Sequence, residues 1–137
     1  MRHPLHPMFV HFPIALWTTS LGWDALALGF GTASWWSLSY WCLAAGLLMA
    51  LPAIGTGFVE FARIEPGHPA AKIAVWHLSA MSAAAMFFLG SLLLRKPAAS
   101  PESVLAALAL SLAGLACLIA GGVLASRLVY GHGVGMK

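Results

Sequence analysis

Six histidines hold most of the chemistry this sequence offers: His3, His6, His11, His68, His77 and His132. Imidazole ligates metals through either ring nitrogen and moves protons near neutral pH. Three of the six stand in "HPLHPMFVHFP", residues 3–13, interleaved with Pro4, Pro7 and Pro13. A bare metal site wants three or four such ligands, whereas a haem iron wants two axial ones. His11 and His77 fall inside apolar runs rather than loops, and ionisable groups in such places are functional by default. They are the expected ligand pair. His6 and His132 are further metal-ligand candidates, and His132 suits a lid, while His3 and His68 read as solvated.

What must position these residues is set by composition. Of 137 residues, 61% are hydrophobic and only 8% charged. So little polar surface cannot cover a water-facing globule of ordinary make-up. In lipid each span must satisfy its own backbone, and long Leu- and Ala-rich runs without period-2 alternation select helices. The expected fold is all-α, an integral membrane four-helix bundle with both termini on the same side. Spans are expected at about residues 8–30, 38–60, 71–94 and 103–128, each near the ~20 residues that cross the hydrocarbon. They form a single domain, residues 1–137, in which helix pairs show no repeat at the sequence level. Cys42 and Cys117 should lie at different depths, which argues against a disulfide.

With four spans, the N-terminus, the 61–70 loop and the C-terminus share one face. Every histidine lies on that face or just inside it. At 1.5 Å rise per residue, His11 and His77 fall at similar depths, about 5–9 Å below it. Basic residues on this face are Arg2, Arg63, Lys72, Arg127 and Lys137, against Arg95 and Lys96 opposite. Basic flanks stay inside, so both termini are expected in the cytoplasm of a bacterial inner membrane, crossed several times. Arg63, Lys72 and Arg127 could receive anionic groups such as haem propionates. Trp17, Trp76 and Phe58 could line a pocket, and Met81, one turn after His77, reads as core. Asp24, late in the first span, must pair, protonate or face a wet cavity.

The two ends carry a pattern. "HPLHPMFVHFPIALW" at 3–17 and "LVYGHGVGM" at 128–136, around four spans with a histidine in the third, resemble the bacterial membrane family known as domain of unknown function 2231. The resemblance covers essentially the whole chain and points to His6, Pro7, His11, Pro13, His77, Tyr130, Gly133 and Gly135. The family's architecture is similar to that of four-helix b-type cytochromes, which implies haem held by histidines on facing helices. The chain departs from the family at Met81, often Asn; at Glu60-Phe61, often an acidic residue and Trp; and at Ala125, Ser126 and Arg127, often Gly-Gly-acidic.

The leading expectation is a membrane protein binding haem b through His11 and His77, in electron transfer or haem handling. A non-haem transition-metal binder or transporter is the alternative, as is a cofactor-free structural or assembly subunit of a membrane complex. Expected partners are lipid, redox or complex subunits and other copies of the chain. The +3 net charge reads as flank bias, not a nucleic-acid footprint. No Walker loop, H-E-x-x-H or G-x-S-x-G motif is present, so catalysis by this chain alone is not expected.

Overall fold

The computed structural model describes residues 5–95 and 101–134. Arg2, His3, Pro4, Lys96, Gly135 and Lys137 lie outside them. Four helices follow one another: α1 (His6–Phe30), α2 (Ala33–Phe61), α3 (Pro69–Leu94) and α4 (Pro101–Ser126), the last running into a π-helical turn at Arg127–Gly131.

The helices begin earlier than the apolar runs do. Proline sits in the first turn of α1 and α3, where its missing N–H would have no intrahelical partner. Pro7 therefore belongs to α1. Gly31 closes α1 in the left-handed conformation (φ 68°), and its N–H donates to the Ala27 carbonyl. That leaves a two-residue turn, so Trp35 and Trp36 are already helical. His68 is no idle loop residue. Its Nδ1 caps α3 by accepting from the Ala70 N–H at 3.1 Å.

Ala33–Phe61, Pro69–Leu94 and the stretch Glu102–Gly131 are long and apolar enough to cross a membrane. The 25-residue α1 has the length but falls short in apolarity, because His6, His11, Thr18, Thr19 and Asp24 interrupt it.

The closest packing is within two hairpins, α1 with α2 and α3 with α4. The hairpins bury the same positions. In α1 these are Pro13, Trp17, Ser20 and Asp24; 71 positions on stand Ala84, Phe88, Ser91 and Arg95, all buried. In α2 they are Ser39, Leu43, Gly46, Ala50 and Ala53; 68 positions on stand Ala107, Ser111, Gly114, Leu118 and Gly121, again all buried. Across the hairpin interface residues meet their own counterparts: His6 meets His77, Trp17 stacks on Phe88, and Asp24 binds Arg95. Such self-pairing is the signature of a two-fold relation. The chain is thus an internal repeat of one helical hairpin.

Both aromatic rings at the centre lie against glycine. A Cβ on Gly46 would stand 2.6 Å from the Trp17 indole, and one on Gly114 would stand 3.0 Å from the Phe88 ring. Small residues of this kind let helices approach closely where lipid supplies no hydrophobic drive.

Candidate functional site

Four helix ends converge at His6. The start of α1 brings His6, the end of α2 brings Ala53 and Glu60, the start of α3 brings His77, and the end of α4 brings Gly121. The His6 Nδ1–H donates to the Ala53 carbonyl at 2.8 Å, and the His77 Nδ1–H donates to the Gly121 carbonyl at 2.9 Å. A carbonyl only accepts, so each Nδ1 carries a proton, and in a neutral imidazole the lone pair is then on Nε2. Ala53 and Gly121 are repeat counterparts, so one bond is built twice. The Glu60 carboxylate accepts from the His6 backbone N–H at 3.4 Å, taking up a donor that the first turn of α1 leaves free.

The two imidazoles stand with ring centres 6.5 Å apart and planes at 89°. Both line a cavity of about 380 Å³ together with Pro13, Trp17, Met81 and Leu118. This volume falls within the size range of small-molecule sites, which are mostly apolar with a few placed polar groups. The Trp17 Nε1, fully buried, has no hydrogen-bond partner among the described residues.

The expected partner of His77 was His11; its partner is His6. Five residues turn an α-helix by about 500°, or about 140° away from the starting face. His6 shares its face with Pro13, Trp17, Ser20 and Asp24, so His11 points outward. It is exposed, and its Nδ1–H donates to the Pro7 carbonyl in its own helix. His132 is exposed too and does not reach the cavity; its ring lies 6.0 Å from that of His68. Arg63, Lys72 and Arg127 are exposed, and none of them lines the cavity. Trp17 lines it as expected, whereas Trp76 and Phe58 are 61% and 51% exposed and do not. Met81 packs in the core. Among the described residues no group of three or more His, Cys, Asp or Glu gathers around one point. His6, His11, His77 and His132 therefore do not assemble into a single ligand set.

At the far ends of the same helices lies a polar cluster that the sequence did not reveal. Arg95 binds Asp24 through two parallel bonds, Nη1 to Oδ1 at 2.6 Å and Nη2 to Oδ2 at 2.7 Å. It also donates to the hydroxyls of Ser39, Ser91 and Ser111. The Trp36 ring lies 4.2 Å from its guanidinium carbon. Ser39 donates onward to the Ser20 carbonyl and Ser91 to the Ala107 carbonyl. Asp24 thus has a paired partner, which excludes a lone carboxylate, and Arg95 is no free flanking charge. The clue was available in the spacing: Asp24–Arg95 repeats the interval of His6–His77.

The family model described as Predicted membrane protein (DUF2231) matches residues 2–137. The chain belongs to this family. Neither the curated proteins nor the solved structures gave a match. In this DUF2231 chain the N-terminal motif supplies His6 and Pro13 to the cavity. The C-terminal motif forms the π-helical turn, in which Leu128 packs on Ala70 and Ala74. Gly133, at φ 65°, donates to the Val129 carbonyl and reverses the chain there.

Proposed function

We propose that this DUF2231 protein is a four-span helical bundle of the bacterial inner membrane that holds b-type haem between His6 and His77. Its role on this reading is electron transfer or haem handling with partner subunits. The observation that carries the reading is the doubled anchor. Two histidines at repeat-related positions each donate Nδ1–H to a backbone carbonyl, both rings line one cavity, and neither Nε2 has a hydrogen-bond partner among the described residues. Metal-bound histidines are held in this way, their tautomer and ring orientation set by the second nitrogen.

The spacing supports it as well. The ring centres stand 6.5 Å apart, a separation at which one ion bonded at about 2.0–2.1 Å could be held by a nitrogen of each. Two ligands suit haem, which brings four nitrogens of its own, better than a bare transition ion needing more from the protein. When bound, haem would supply one-electron chemistry; the chain supplies ligation, burial and redox tuning. The exposed Arg63, Lys72 and Arg127 stand at the helix ends nearest the cavity, as cations for propionates or lipid phosphates.

The topology is part of the proposal. His6, Glu60, His77 and Gly121 gather at one end, and Asp24, Ser39, Arg95 and Ser111 at the other, as four alternating spans require. The interruptions that make α1 the least apolar helix include His6 and Asp24, both turned inward. With Arg95 paired to Asp24, the basic bias toward the histidine end is sharper, which favours that end as cytoplasmic.

Purified full-length protein, loaded with haem, tests the reading. We expect a Soret band that shifts on dithionite reduction, is lost in His6→Ala and in His77→Ala, and persists in His11→Ala. A band unaffected by His6→Ala and His77→Ala overturns the ligand pair. Failure of folded wild type to take up haem overturns the cofactor.

A further inference from the structure

We infer that the Asp24–Arg95 pair decides which hairpin pairs with which, so that a first hairpin takes a second hairpin and not another first one. The inference rests on the repeat and not on haem. The α1/α2 hairpin and the α3/α4 hairpin bury the same faces, meet through residues related by the repeat, and share Ser20/Ser91 and Gly46/Gly114 as identical buried pairs. A surface that fits its own counterpart also fits a copy of itself. On shape alone, α1/α2 of one molecule could therefore pair with α1/α2 of another.

At one buried level the halves differ in charge. Asp24 and Arg95 occupy equivalent positions, with side chains 3% and 0% exposed. The right partner gives a bidentate ion pair; the wrong one sets carboxylate on carboxylate or guanidinium on guanidinium, buried and without a counter-ion. Specificity obtained from a penalty on the wrong partner is a recognised use of buried polar groups. The cluster around Arg95 sharpens the choice. Asp24 comes from α1, Ser39 from α2 and Ser111 from α4, so the guanidinium reads all three neighbouring helices at once, with Ser91 of its own helix beside it. The remaining self-paired levels carry no such distinction: His6 with His77 and Trp17 with Phe88 are alike in kind.

The test uses the full chain, co-expressed in two differently tagged copies, with recovery of mixed-tag complexes as the readout. Wild type should give background recovery. In the apolar variant Asp24→Leu/Arg95→Met, mixed recovery should rise by roughly tenfold. Unchanged recovery in a folded apolar variant overturns the inference. A second arm stands if that variant does not fold. Asp24→Arg places two arginines in one chain, and Arg95→Asp places two aspartates in the other. Each expressed alone should be lost, and together they should rescue each other as a mixed dimer. Absence of mutual rescue, with both chains synthesised, overturns the inference and leaves the ion pair a staple within one chain.

Discussion

Trp17 of α1 lies flat on Phe88 of α3, with ring centres 4.8 Å apart and planes at 23°. The stack separates the histidine end of the molecule from the Asp24–Arg95 end. Both residues are buried, and each ring rests on a glycine of the adjoining helix in its own hairpin. Truncating either ring should therefore open a void at the meeting point of the two hairpins. Trp17→Ala and Phe88→Ala should each lower stability by about 3–5 kcal/mol, measured by denaturant unfolding in detergent.

The glycines make the complementary prediction. Gly46→Ala should destabilise more than Gly114→Ala, because its Cβ would come closer to the ring, and the range is about 1–3 kcal/mol for overpacking. Thermal unfolding of the two variants side by side gives the order directly.

For the ion pair, removal of one partner should be worse than removal of both. Asp24→Ala or Arg95→Ala strands a buried charge at a cost of about 3–5 kcal/mol. Arg95→Lys should not restore stability, since an ammonium cannot make two parallel bonds to the carboxylate and still reach the serines. The yield of folded protein extracted from membranes, compared across these variants, checks the ranking.

Sidedness can be read without reference to any cofactor. With α1 to α4 as four spans, a cysteine at Glu65 and one at Ser34 should react with a membrane-impermeant thiol reagent from opposite sides of sealed vesicles. Labelling of both from one side would show that α2 does not cross.

Helix number and approximate extent were legible because apolar runs of bilayer length are a coarse, additive signal. Helix rotation was not. α1, α3 and α4 are apolar almost all round, so no amphipathic stripe says which side faces inward. That is why His11, deeper in its run, looked the better partner for His77, although His6 shares the face of Trp17 and Asp24. Arg95 was misjudged for another reason. Lys96 and Pro97 beside it make it look like a loop charge, whereas its side chain turns back among four helices. The family resemblance depended on the end motifs, which the structure turns into a cavity wall and a chain reversal.

The repeat was hidden by its own geometry. Its interval is 71 positions between α1 and α3 but 68 between α2 and α4, because Asp24 precedes Ser39 by 15 positions and Arg95 precedes Ala107 by 12. Sliding the sequence along itself at any single offset aligns one helix pair and puts the other out of step by nearly a turn. The molecule's two-fold character thus lives in three dimensions and in the inward-facing side chains, while the outward-facing positions and the spacing between counterpart levels differ. Substitutions that look unrelated along the chain, such as Trp17→Ala and Phe88→Ala, should accordingly open the same central void from its two sides.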